Sequence, residues 1–253
     1  PAEDPVLIGL GAVAIRDLVS MLKYGAPRSS LLPMGDVAAR KQVKRVIGFG
    51  VSQTGRFLRT FVHQGFNRDE QGRQAFDGLM VHVAGAGRGS FNHRFAQPSR
   101  DGHPFMNSFY PSDIYPFADL PQLDPETGRN EGLLDKAKAD SVVPKIFYTN
   151  TSAEYWGRVA SLIHTTLDGK QDAPIPDSTR IYLFTGAQHG VGPFPPEKGR
   201  TQYLTNANDY RYLLRGLLSA MNDWLASGKE PPPSQYPRIA MGTLVPLDKF
   251  RFP

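Results

Sequence analysis

The sequence has no cysteine among its 253 residues. This excludes disulfide bonds, thiolate nucleophiles and cysteine-ligated metals, and it leaves the redox compartment undetermined. No apolar run approaches the ~18 residues that a membrane-spanning helix needs. Dense runs of one charge are also missing, because the basic residues behind the formal net charge of +5 are scattered. The composition therefore favours an ordinary solvated surface over a nucleic-acid-binding face.

The length and the 40% content of hydrophobic residues suffice for one α/β domain with a sizeable core. We take residues 1–253 as a single domain. The chain begins at Pro1 and has no recognisable signal peptide, so we expect a processed product or a piece of a longer polypeptide.

Segments of strand and helix character alternate along the chain. This alternation predicts a parallel sheet with helices on both faces. The predicted strands are 44–50, 77–84, 145–150 and 179–184, and the predicted helices are 9–24, 54–65, 154–166 and 206–227. In the last helix, the residues predicted to face inward are Tyr210, Leu213, Leu214, Leu217, Leu218, Met221 and Leu225.

Residues 88–143 show little regular pattern and are rich in aromatic residues, proline and histidine. Long irregular segments in compact domains are commonly lids or binding loops, so we predict an irregular aromatic cap over a site. The candidate substrate-binding residues are Arg88, His93, Phe105 and Tyr110 in this cap, with Trp156 outside it. The histidines have no metal-ligand spacing, and we expect neither a metal nor a cofactor.

A strand, a sharp turn and a helix surround Ser52, in the order Gly50-Val51-Ser52-Gln53-Thr54-Gly55. The pattern G-x-S-x-G places a serine nucleophile on such a turn. Here Thr54 occupies the position of the second glycine, and Gly55 follows one residue later. Because threonine is β-branched, we expect the helix to pack less closely behind the turn than it does with glycine.

A serine hydroxyl needs a base, and the base needs an orienting group. His189 lies in a glycine-bounded loop after the last predicted strand, where ligands of parallel sheets bind. Glu154, after the strand 145–150, is the first candidate for the orienting acid, and Asp168 is the alternative. We expect the backbone N–H of Gln53 to contact an oxyanion.

Four segments carry a resemblance to the α/β-hydrolase superfamily, within its branch of "alpha/beta hydrolase domain" proteins. These segments are Arg16–Gly25, Gly48–Phe57, Asn150–Trp156 and Gly186–Gly190. The resemblance implies Ser52 as nucleophile, Glu154 as acid and His189 as base. It also implies that amino-terminal strands with an oxyanion loop lie on residues not present here. Members of this branch resemble exported proteins, which favours a periplasmic or extracellular setting.

The sequence thus predicts a serine hydrolase that acts on a small-molecule carboxylic ester. The aromatic residues of the cap favour a hydrophobic or aromatic substrate. Two alternatives remain open: an acyltransferase, in which an alcohol replaces water, and a non-catalytic fragment or subunit. In the latter, an amino-terminal segment or a partner chain would complete the sheet.

Overall fold

The computed structural model describes residues 9–25, 43–91 and 113–250. The strands are β1 (Ile47–Val51), β2 (Gly78–His82), β3 (Gln122–Leu123), β4 (Asn130–Glu131), β5 (Lys145–Thr151) and β6 (Thr179–Phe184). A four-stranded parallel sheet has the order β1-β2-β5-β6, and a two-stranded antiparallel ribbon joins β3 to β4.

Helices cover both faces of the sheet. In the described ranges they are α1 (Gly11–Tyr24), α2 (Gln53–His63), α3 (Asp135–Ala139), α4 (Ser152–Gly157) and α5 (Arg211–Ser227), with short 3-10 turns at Ala160–Ile163 and Leu247–Lys249. The predicted α/β class is confirmed. In the described residues, no helix is both long enough and apolar enough to cross a membrane.

Two clusters of buried side chains lie on opposite faces of the sheet. One joins Leu58, Phe61 and Val62 of α2 to Leu79 and Ile146 of the sheet. The other joins α5 to the side chains that alternate onto the opposite face; its members include Met80, Phe147, Tyr182, Leu217, Met221 and Trp224. This alternation follows from the two-residue period of a strand.

The predicted elements differ from the structure mainly at helix boundaries and faces. The helix predicted over 154–166 is α4 followed by a 3-10 turn, because Val159 between them has a left-handed φ of 46°. The prediction that Leu213 and Leu218 face inward is wrong, since they are 40% and 48% exposed. Trp224 takes their place: its ring stacks on Phe147 at 5.8 Å, which shifts the buried stripe of α5.

The predicted cap over 88–143 falls only partly on described residues. Within 113–143, Ala118, Leu133, Leu134 and Ala137 are buried, and the last three belong to the core cluster on the α2 face. Asp119 bonds two strands, accepting from the Tyr148 hydroxyl and the Thr179 hydroxyl, each at 2.6 Å. This part of the predicted cap therefore contributes to the domain core.

The two outer strands of the sheet differ in how they are covered. At β6, Gln235 donates to Ile181 O and accepts from Leu183 N–H, so the tail pairs with this edge. At β1, the backbone of Val46 and Ser52 bonds toward β2. Because backbone direction alternates along a strand, Ile47, Phe49 and Val51 direct their backbone groups to the other side. No strand of the described residues lies beyond β1.

Candidate active site

Ser52 lies at the carboxyl end of β1 in a strained backbone conformation, with φ 54° and ψ −116°. For a residue with a side chain, such a conformation costs about 1–3 kcal/mol and persists only where surrounding contacts enforce it. Its N–H donates to His82 O at 2.8 Å, which ties the turn to β2. The chain then enters α2 directly, so Ser52 sits at the junction of strand and helix.

Two glycines permit this turn. A Cβ on Gly50 would lie 2.5 Å from Thr54 O, and a Cβ on Gly55 would lie 2.9 Å from the Cβ of Ala84. Gly55, and not residue 54, therefore makes the close approach of α2 to the sheet. The expectation that Thr54 loosens this packing is wrong, because its side chain is exposed.

Thr54 instead holds the end of β1. Its Oγ1 accepts from Val51 N–H and donates to Val51 O, both at 2.8 Å. These bonds occupy the outward-directed backbone groups of the residue before Ser52. A glycine at position 54 would lack this contact.

Glu154 is 1% exposed, lies in α4 and contacts the loop that follows β6. One carboxylate oxygen, Oε2, accepts from the Thr151 N–H at 2.7 Å and from the Thr151 hydroxyl at 2.6 Å, as part of a capping box. The other, Oε1, lies 2.7 Å from Nδ1 of His189. One carboxylate therefore caps α4 through Oε2 and contacts His189 through Oε1.

The His189 loop is held by several bonds besides the one to Glu154. Gly186 N–H donates to Ser152 Oγ at 3.0 Å, and the Asn206 amide donates to Gly186 O at 2.7 Å. The Tyr210 hydroxyl donates to His189 O at 2.9 Å. The imidazole is nevertheless 52% exposed, so its ring has access to solvent while its Nδ1 is bonded.

The alternative acid, Asp168, lies elsewhere. Its carboxylate accepts from the Thr166 hydroxyl and the Lys170 N–H, which lowers its pKa, and its side chain is exposed. The structure therefore brings Glu154, and not Asp168, to His189. Gln53 is the first residue of α2, where backbone N–H groups have no partner within the helix.

His82 and Tyr210 lie beside the Glu154–His189 pair. Burial lowers the pKa of His82 to about 4, against the opposing charge of Glu154, and its Nδ1 is 2.9 Å from the Thr149 hydroxyl. The interpretation of His82 as a bonded core histidine is confirmed. Sequence reasoning assigned Tyr210 only to the core, although a polar-tipped aromatic in an apolar row signals a hydrogen-bonding role.

Of the predicted substrate-binding residues, the structure describes Arg88 and Trp156, and these two line different cavities. His93, Phe105 and Tyr110 lie outside the described residues. Arg88 donates through Nε and Nη2 to the Tyr115 carbonyl, burial lowers its pKa to about 10, and it lines a cavity of about 680 Å³. Trp156 is half-exposed on α4, with its ring 4.9 Å from that of Phe250, and lines a separate groove of about 970 Å³.

In the ranges that the structure describes, no group of three or more His, Asp or Glu side chains could hold a metal ion. An activated hydroxyl, an imidazole and a buried carboxylate are the groups that acyl transfer requires.

Comparison with protein families matches residues 10–251 to the alpha/beta hydrolase domain family. The chain belongs to this family. The match spans nearly all of the sequence, including every element of the described sheet, and indicates a hydrolase-type function. Searches of curated proteins and of solved structures gave no significant match.

Proposed function

We propose that this protein is a serine hydrolase that cleaves a carboxylic ester through an acyl-enzyme on Ser52. The observation that carries the proposal is the 2.7 Å contact between Glu154 and His189 at the sheet end where the strained turn holds Ser52. The proposal is also supported by the strand order, because each of the three residues follows the carboxyl end of a strand in one parallel sheet.

In the proposed reaction, Nε2 of His189 takes the proton of the Ser52 hydroxyl while Oγ attacks the ester carbonyl. The negative charge develops on the carbonyl oxygen, where the N–H of Gln53 donates. His189 then protonates the departing alcohol, and the acyl group stays on Ser52. Water attacks this acyl-enzyme in the same way, which releases the acid and restores Ser52.

Glu154 supports this cycle by fixing one tautomer of His189. A carboxylate that accepts from Nδ1–H leaves Nε2 unprotonated and directed away from the carboxylate. The same carboxylate stabilises the imidazolium that forms when Nε2 takes a proton. The capping box bonds Glu154 to Thr151, which is the last residue of β5. The contact with Glu154 therefore connects the imidazole to the sheet.

The ester specificity is also part of the proposal. Aromatic side chains of the predicted cap and Trp156 would contact a hydrophobic or aromatic moiety of the substrate, and Arg88 an anionic group. The Arg88 guanidinium already donates to the Tyr115 carbonyl through Nε and Nη2, so this contact would use other N–H groups of the guanidinium.

The test is ester turnover by the purified protein and two serine variants, with p-nitrophenyl acetate as the probe. Ser52→Ala should lose roughly 10³-fold or more in kcat, as expected when a nucleophile is removed. Ser219→Ala, on the exposed side of α5, is the matched control and should retain full activity. Equal turnover by both variants would contradict the proposal.

A second candidate function is that of a subunit whose sheet is completed by another polypeptide segment. The specific observation is the outer edge of β1, where Phe49 is 54% exposed and no strand of the described residues lies beyond it. Exposed apolar edge strands are templates for pairing with a further strand. Native mass spectrometry of the protein from its source would detect such a segment; a bare mass of this chain alone in an active sample would exclude the subunit function.

A further inference from the structure

The imidazole of His189 lies on a loop between β6 and α5, and not on a helix or strand. Its carboxylate contact acts at Nδ1, which fixes the tautomer and one direction of the ring. The backbone of the same residue needs a second restraint, because a loop that shifts carries the ring with it. The only side-chain hydroxyl in the described residues that bonds the His189 backbone is that of Tyr210, at 2.9 Å.

Tyr210 is itself fixed by packing. It is 5% exposed, and its ring stacks on Phe184 with the centroids 5.5 Å apart. The ring of His82 meets it at 5.1 Å and 61°, edge to face. His82 in turn is held by the Thr149 hydroxyl, so the Tyr210 ring rests on the ends of β2 and β6.

We propose that Tyr210 is a positioning residue for His189. Its ring packs against the sheet, and its hydroxyl bonds the backbone of His189 and so fixes the loop that carries the base. This inference rests on the proposed function of Ser52 and His189. The hydroxyl holds the carbonyl of His189 while Glu154 holds its Nδ1, so both bonds act on the residue that carries Nε2. The bonds from Ser152 and Asn206 act three residues earlier in the loop, at Gly186. Proton transfer requires heavy atoms within about 2.6–3.2 Å, so a small loop displacement lowers the rate steeply.

Tyr210→Phe tests this, because it removes the bonding oxygen and keeps the ring that packs on Phe184 and His82. Tyr212→Phe is the matched control: it removes a hydroxyl two residues along, from a side chain that is 63% exposed. Each variant is compared with the unaltered protein for the rate of fluorophosphonate labelling at Ser52, for kcat and KM on p-nitrophenyl acetate, and for Tm.

We expect Tyr210→Phe to lower kcat and the labelling rate about 10- to 100-fold, with KM within about twofold and Tm within a few degrees. Tyr212→Phe should match the unaltered protein. Incorporation of 4-aminophenylalanine at position 210 restores a donor on the same ring and should recover most of the rate.

Three results would overturn the inference: labelling of Tyr210→Phe at the unaltered rate, a rise in KM that accounts for the whole loss, or no recovery with the amino side chain. A large fall in Tm with the loss of activity would show a purely structural role and would also overturn it. Failure of the proposed function is distinguishable, because the unaltered protein would then not be labelled at Ser52 at all.

Discussion

Replacement of Glu154 by glutamine changes one oxygen to an amide nitrogen in a site where both oxygens are fully used. Oε2 accepts two hydrogen bonds from Thr151, and Oε1 accepts from His189, all between 2.6 and 2.7 Å. Glutamine has one acceptor oxygen and one donor amide. Both orientations of the amide therefore conflict with a donor that the carboxylate now satisfies.

If the amide nitrogen faces Thr151, it meets the backbone N–H of that residue, and the capping box loses a bond. If it faces His189, the imidazole must accept at Nδ1, which places the proton on Nε2 and removes the base. The first orientation costs about 2 kcal/mol, the value of one hydrogen bond to a buried charged group. The second lowers kcat by roughly 10³- to 10⁴-fold, as expected for a base in the wrong tautomer.

We therefore expect Glu154→Gln to lose both stability and activity, in proportions that report which orientation dominates. Urea unfolding measures the free energy of unfolding, and p-nitrophenyl acetate turnover measures kcat. Glu197→Gln, on the exposed surface, controls for the removal of one negative charge. A folded Glu154→Gln protein with kcat within tenfold of the unaltered protein and an unchanged free energy of unfolding would refute the assignment of Glu154 as the orienting acid.

Further predictions concern the Ser52 turn and two buried histidines. Gly50→Ala should unfold at lower urea and lose activity, because its Cβ would lie 2.5 Å from Thr54 O; an unchanged unfolding midpoint would count against the turn geometry. Thr54→Val should lower activity more than Thr54→Ser, which keeps the bonds to Val51; equal activities would contradict the role of the hydroxyl. Burial lowers the pKa of both His82 and His164 to about 4, so their NMR signals should show neutral rings above pH 5. Between pH 6.5 and 4 the unfolded histidines bind protons while the buried rings stay neutral. Each histidine should therefore lower the free energy of unfolding as pH falls through this range, by up to about 1.4 kcal/mol per pH unit. A titration midpoint above 6 would contradict this.

The strands and the sheet could be predicted from the sequence because their physical causes are local. The β-branched and apolar runs ending before Ser52 and Glu154 specify strands of a parallel sheet, and β6 begins and ends at the predicted residues. Order along the chain then places the following loops at one sheet edge. The same placement favours Glu154 over Asp168 as the partner of His189.

The remaining features depend on contacts between distant segments, which the sequence pattern does not record. In the sequence pattern, Tyr210 is one more apolar residue of the predicted helix. Only the folded chain shows that its hydroxyl bonds the carbonyl of His189. Gly55 could be recognised as the close-packing glycine only once Ala84 is known to lie against it. Leu213 and Leu218 match the helical period as well as Trp224 does, so periodicity alone could not select the buried face.

The most direct test of the account is to label the protein with a fluorophosphonate and to map the modified residue by mass spectrometry. We predict a single adduct on Ser52. An adduct on a different residue, or none in a sample shown to be folded, would contradict the central claim that the strained turn presents an activated serine.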